Sequence, residues 1–197
     1  MDKIVLASGN KGKLREFAQL FSVMDIEVVP QSEFDVPEAD ETGLTFVENA
    51  IIKARNAAQH TGLPAIADDS GIEVDYLLGA PGIYSARFAG SDASDEDNLN
   101  ALLAALEGVP DIERDARYQC VLVMMRHSKD PTPLICQADW RGRILQSPIG
   151  DGGFGYDPIF WVPDMECSAA QLIPAEKHAI SHRGKAIRQF MTAFRNQ

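Results

Sequence analysis

Two adjacent carboxylates, Asp68 and Asp69, follow the apolar residues Leu63, Ala65, Ile66 and Ala67 and precede Ser70-Gly71. As a strand end that delivers charge into a cleft, the pair calls for a cation or a proton-transfer role, because buried acids are costly unless something positive meets them. Hard divalent metals that handle phosphates are held by one or two carboxylates of this kind. A plain turn, with Asp as its cap and glycine at positive φ, uses the same residues. A second cluster bears on the choice. Ser8-Gly9-Asn10-Lys11-Gly12-Lys13 joins an apolar run to a helical pattern. A glycine-bearing loop at a helix start offers backbone N–H groups and the positive end of a dipole to an anion, and Lys13 adds a mobile cation. Gly9 and Gly12 are too close for a Walker A loop, and Leu14 stands where Ser or Thr belongs. A tight turn with surface lysines is the other reading of that segment.

The elements that must position these residues alternate between strand and helix. An apolar run over 3–8 predicts a strand, and Leu14, Phe17, Ala18 and Phe21 give the following helix its buried face. A second strand is expected over 26–29, then an acidic loop over 31–43. Composition does not separate Asp40 from Glu41 there. Position favours Glu41, because Glu41-Thr42-Gly43 leads directly into a helix. That helix buries Val47, Ala50, Ile51, Ala54 and Ala58 and aligns Asn49, Lys53 and Asn56 on the other side. Lys53 there either reaches a phosphate or holds the surface.

Beyond the acid pair, another strand is expected over 72–78, closed by Gly79-Ala80-Pro81-Gly82. Ser94-Asp95-Glu96-Asp97 is a helix start, with a Ser cap and acids at the positive end of the dipole. Runs at 116–125 and 134–145 predict an antiparallel hairpin. The segment 150–158 is the most glycine-dense of the chain, which lets backbone approach a ligand while Phe154 and Tyr156 offer faces to a planar ring. A flexible loop with core aromatics is the alternative. A last strand is expected over 159–162. Ser181 reads as the cap of the final helix, yet His182 and Arg183 occupy its first turn, where cations oppose the dipole. An acceptor-rich ligand repairs that mismatch, as does an acidic neighbour such as Glu176.

The whole chain sets the bounds. At 197 residues, it suits one domain, or two closely joined lobes, and its hydrophobic content is ample for a core. A net charge of -11 argues against a nucleic-acid polymer or an anionic membrane as partner, though local cations and a metal can still hold a small phosphate ligand. The three cysteines, Cys120, Cys136 and Cys167, show neither zinc spacing nor a disulfide framework, and no apolar run is long enough for a signal peptide or a membrane span. A reducing cytoplasm fits.

Ser8-Gly9-Asn10 with Lys13, Glu41-Thr42-Gly43, Asp68-Asp69-Ser70-Gly71, Phe154-Gly155-Tyr156-Asp157 and Ser181-His182-Arg183, in this order, resemble the inosine triphosphate pyrophosphatase family, and its bacterial XTP/dITP diphosphatase branch most of all. Each motif is short, but the ordered set covers nearly the whole chain. The resemblance implies an α/β fold with a long mixed central sheet flanked by helices, two lobes with a nucleotide cleft between them, and a homodimer. It also implies Mg²⁺-dependent conversion of deaminated purine nucleoside triphosphates (ITP, dITP, XTP) to monophosphate and pyrophosphate. By position, Ser8, Gly9, Asn10, Lys11, Gly12 and Lys13 bind the triphosphate, with Lys53 as a further phosphate ligand. Asp69 is the base or a metal ligand, Glu41 and Asp68 help hold Mg²⁺, and Ser70 touches substrate. Phe154, Gly155, Tyr156, Asp157, Lys177, His182 and Arg183 form the base pocket.

Of the two adjacent acids, Asp69 is the one chosen for the chemistry: neighbours in a strand face opposite ways, so only one points straight at a metal unless the strand ends there. Hydrolysis at phosphorus needs neutralised charge, cations on the phosphates and a carboxylate near the attacking water, which these residue types supply. The donor-rich Lys177, His182 and Arg183 match a 6-oxo purine, whereas the 6-amino group of adenine leaves them unpaired. Three other readings use the same residues: a phosphatase with Asp69 as covalent nucleophile, a pyrophosphatase for modified pyrimidines, and a nucleotide-binding sensor without turnover.

Overall fold

Ile4, Val5 and Leu6 have no exposed surface, the pattern of a strand covered on both faces. They form β1 (Lys3–Leu6), followed by α1 (Lys11–Ser22), β2 (Glu27–Pro30), α2 (Phe46–Thr61) and β3 (Ala65–Val74). Next come α3 (Asp95–Ala105), β4 (Asp115–Met125), β5 (Leu134–Ile144), β6 (Phe160–Val162), β7 (Cys167–Ser168), α4 (Pro174–Ile180) and α5 (His182–Arg195). The computed structural model describes residues 2–9, 11–22 and 24–196. Its strands make one sheet in the order β2-β1-β3-β4-β5-β6-β7. β1 runs parallel to β2 and to β3, while β6 is antiparallel to β5 and to β7. The architecture is therefore α/β with a mixed sheet flanked by helices, as the family resemblance implies.

Two compact units are resolved: Met1–Asp69, Val121–Gln137 and Gln189–Gln197 in the first, Ser70–Cys120 and Ala138–Arg188 in the second. In the first, Phe21 of α1 meets Phe190 and Phe194 edge-on, with ring centroids 6.1 and 5.5 Å apart. Such pairs are worth about 0.5–1.5 kcal/mol beyond the area they bury. In the second, Leu99, Leu102 and Leu106 pack into a core with Tyr118, Trp140 and Phe160. Arg114, 1% exposed, threads that core and donates to the carbonyls of Leu106, Val109, Ile144 and Leu145.

Local chemistry sets the helix ends. Ser94 accepts the Asp97 N–H while the Asp97 carboxylate takes the Ser94 N–H, the reciprocal box expected of that sequence. Thr45 caps α2 by accepting the Glu48 N–H, while the Glu48 carboxylate accepts the Leu44 N–H and the Thr45 hydroxyl. Ser181 Oγ accepts the Gly184 N–H at 3.2 Å at the start of α5, as its position suggests. Gly184 is required for a close approach: a Cβ there would lie 1.7 Å from the His178 carbonyl oxygen.

The expected strand end at Ser70-Gly71 is overturned, and 72–78 is not a separate strand. β3 runs unbroken from Ala65 to Val74 and gives way to a 3-10 turn at Asp75–Leu77. Ile72 and Val74, both fully buried, carry the extended pattern past the acids. The Ile72 N–H is taken by Ser85 Oγ at 2.8 Å. The loop expected over 31–43 also opens with a 3-10 turn, Gln31–Phe34.

Candidate active site

β3 turns Asp68 and Asp69 to opposite sides, and each meets a lysine from a different helix. Asp68, 2% exposed, has both carboxylate oxygens 2.7 Å from Lys13 Nζ of α1. Asp69 Oδ1 accepts from Lys53 Nζ of α2 at 2.6 Å, and the same ammonium lies 3.1 Å from Glu41 Oε1. Burial pushes the Asp69 carboxyl above its ordinary 3.8, and Glu41 and Asp68 push the same way, against the pull of Lys53. Burial alone would lower the Lys53 ammonium, but Asp69, Glu41 and Asp68 together hold it above its ordinary value. The result is a fixed cation beside a carboxylate of weakened acidity, a pairing suited to accepting a proton.

The loop carrying Glu41 is pinned to α2. Asn49 has no exposed surface, and its Oδ1 accepts the Gly43 N–H at 2.9 Å. A Cβ at Gly43 would come within 2.6 Å of Glu48 Cβ and 2.7 Å of Asn49 Oδ1, so only glycine permits this approach. One helical turn beyond Lys53, Asn56 Nδ2 donates to the Pro37 carbonyl. The polar stripe of Asn49, Lys53 and Asn56 is thus a brace for the acidic loop as well as a source of charge. Glu41 and Asp69 converging on one ammonium also suit Mg²⁺, which takes one or two carboxylates and completes its shell with water and substrate phosphate. Among the described residues, no group of three or more His, Cys, Asp or Glu forms a ready-made cage.

The expected anion loop is described in part. The Ser8 N–H donates to Leu6 O, Gly9 is exposed with open space where a Cβ would stand, and Lys11 and Gly12 open α1. Asn10 lies outside the described residues.

The second unit holds the other expected residues, with Phe154 and Lys177 meeting at Asp157, which is 2% exposed. One carboxylate oxygen accepts the Phe154 N–H at 2.9 Å and pairs with Lys177 Nζ of α4; the other accepts the Tyr118 hydroxyl at 3.3 Å. Lys177 Nζ also stands 4.6 Å from the centre of the Phe154 ring, which is 62% exposed. Gly155 donates to Asp95 Oδ2, and the Tyr156 hydroxyl donates to the Ser85 carbonyl. Tyr156, expected to offer a ring face, is buried and anchors the loop; Phe154 is the ring left open. His182 lies flat against Tyr118, with centroids 4.7 Å and planes 10° apart, and Arg183 Nη2 donates to Ser70 Oγ at 3.4 Å. Burial raises the Tyr118 phenol well above its ordinary value, so it stays a neutral donor.

Sequence reasoning missed Tyr118, since a tyrosine in an apolar strand looks like core. It missed Ser85 for want of any motif, and set the buried Asn49 on the side of α2 opposite the apolar face without a role of its own. No helix among the described residues is long and apolar enough to cross a membrane.

Comparison with known proteins bears out the resemblance drawn from the motifs. The dITP/XTP pyrophosphatase of Vibrio cholerae is 64% identical over 197 residues, covering 100% of this chain and 98% of that one. The protein of the same name from Escherichia coli O157:H7 is 59% identical over 196 residues, covering both chains in full. Among solved structures, a HAM1 protein from Coxiella burnetii superposes with a TM-score of 0.96 at 51% identity over the whole of both chains. A nucleoside-triphosphatase / dITP/XTP pyrophosphatase from Mycobacterium abscessus gives 0.79 at 41%, over 95% of this chain and 97% of that one. The Ham1 family model matches residues 4–193, and the chain belongs to that family.

Proposed function

We propose that this chain hydrolyses deaminated purine nucleoside triphosphates, dITP, ITP and XTP, to the monophosphate and pyrophosphate, with Mg²⁺ as cofactor. The observation that carries this reading is the convergence of Glu41 and Asp69 on Lys53, in a chain whose relatives bear the name dITP/XTP pyrophosphatase. Asp69 accepts a proton from the attacking water. The water oxygen forms a bond to the α-phosphorus, the α–β bridging bond breaks, and the bridging oxygen leaves with pyrophosphate. Lys53 orients the Asp69 carboxylate, and Lys13, itself held by Asp68, offers its charge to the phosphates beside the Ser8–Lys13 loop. Glu41 and Asp69 would hold Mg²⁺, which would supply charge neutralisation on the phosphates.

In the second unit, Phe154 stacks on the base while Lys177, His182 and Arg183 donate to a 6-oxo group. Adenine, with an amino group at that position, leaves these donors unmatched, and such mismatches are rejected by large factors. We further assign the protein to the cytoplasm, where the free thiols of Cys120, Cys136 and Cys167 suit a reducing compartment, and to a homodimer.

The test is release of pyrophosphate from dITP, ITP, XTP, GTP, ATP and modified pyrimidine nucleotides, with and without Mg²⁺. Pyrophosphate from the deaminated purines, abolished by chelation and by Asp69→Asn, is the expected result. Orthophosphate as product, or equal kcat/KM for ITP and ATP, overturns it. Sedimentation analysis checks the dimer.

A further inference from the structure

Tyr118 is assigned no role in the reaction above, yet it touches two separate parts of the proposed base site. Its ring lies parallel to the His182 imidazole at 4.7 Å, and its hydroxyl donates to Asp157 Oδ1 at 3.3 Å. The other oxygen of Asp157 holds the Lys177 ammonium and the Phe154 N–H. One stiff side chain from β4 is thereby tied to the donor on α5 and, through a carboxylate, to the donor on α4. Tyr118 is also packed against Trp140 at 6.1 Å and Phe160 at 4.7 Å, which leave it little freedom to turn.

We infer that Tyr118 is a positioning residue for base selection: it fixes the Lys177 and His182 donors at the spacing a 6-oxo purine requires, without itself touching the base. This rests on the assignment of the base site above. Donors aimed in advance reject a mismatched base because they cannot swing away to find water. A loosened pair loses that rigidity first, so the preference for the correct base falls before the chemical step suffers.

The experiment compares wild type, Tyr118→Phe, Lys177→Met, His182→Gln and the double variant Tyr118→Phe/Lys177→Met, in kcat and KM for dITP and in kcat/KM for ATP. Tyr118→Phe keeps the ring stack and removes only the hydroxyl. Its expected effect is a KM for dITP raised about 3–10-fold, the loss of one ordinary hydrogen bond, with kcat within about 2-fold and the dITP:ATP preference lowered to match. In the Lys177→Met background the same change is expected to add almost nothing, because the path through Asp157 has lost its end. An unchanged dITP:ATP preference, an equal loss for both nucleotides, or a full multiplicative effect in the double variant overturns the inference. Lys177→Met and His182→Gln test the site itself. An unaltered preference in both sinks the base-site assignment together with this inference, whereas an altered preference in them and none in Tyr118→Phe sinks the inference alone. Thermal melts accompany each variant.

Discussion

Removing the ammonium of Lys53 while keeping its stem, as in Lys53→Met, isolates the effect of the cation on the carboxylate beside it. In wild type, burial, Glu41 and Asp68 all push the Asp69 carboxyl up, and Lys53 is the group that pulls it down. A base must be ionised to work, so kcat/KM falls as pH drops through the Asp69 titration, and without Lys53 that fall begins at higher pH. At 2.6 Å the Coulomb attraction is about 1.6 kcal/mol even at the dielectric of water. With side chains only 19% and 12% exposed, a charge-assisted hydrogen bond worth about 1.5–3 kcal/mol is the better guide, a factor of about 10–100 in the ionised fraction on the acid side. The assay is pyrophosphate release from dITP across the pH range at fixed, saturating Mg²⁺. Lost phosphate binding lowers the variant by the same factor at every pH. The proton-transfer account adds a further deficit of about 10–100-fold on the acid limb alone, set by that same pair energy. Parallel profiles for the two enzymes refute it.

Three other perturbations follow from the geometry. Gly153 sits at φ +74°, and a Cβ there would fall 2.1 Å from Asp157 Oδ2, so Gly153→Ala displaces the carboxylate that holds Lys177; steady-state kinetics are expected to show a raised KM for dITP with less change in kcat. Arg114→Met leaves buried carbonyls without their donor, at a cost of about 3–5 kcal/mol, read in a thermal scan as a Tm lower by about 10 °C. Asp130 accepts from the Arg126 guanidinium and from the N–H groups of Arg126 and Thr132, which hold its carboxyl well below the usual carboxylate range. Its stabilisation is present above that range and is lost as pH falls through the depressed value. The stability gap between wild type and Asp130→Asn, read from Tm as a function of pH, is therefore widest near neutrality, about 2 kcal/mol, and closes under strong acid.

Local signals in the sequence translate faithfully into structure. The α3 start is legible because every partner of Ser94 and Asp97 lies within three residues. The alternation that separates Asp68 from Asp69 follows from strand geometry alone. What is not legible depends on partners far along the chain. Ser70-Gly71 has the composition of a turn, and it stays extended because Ile72 and Val74 are buried beyond it and Ser85 meets the Ile72 N–H. The pairing of Lys13 with Asp68 spans 55 positions, and that of Tyr118 with Asp157 spans 39. No pattern in the neighbouring residues announces either. Tyr156 was expected beside Phe154 as a second open ring, and only the carbonyl of Ser85, 71 positions away, explains why it is buried instead.

The alternation in β3 has a consequence for how this strand tolerates change of length. Deleting or inserting one residue between Ala65 and Ala67 would flip both acids, presenting Asp68 towards Lys53 and Asp69 towards Lys13. The two lysines sit on different helices and cannot trade places to follow. The spacing from Ala65 to Asp69 therefore admits no insertion.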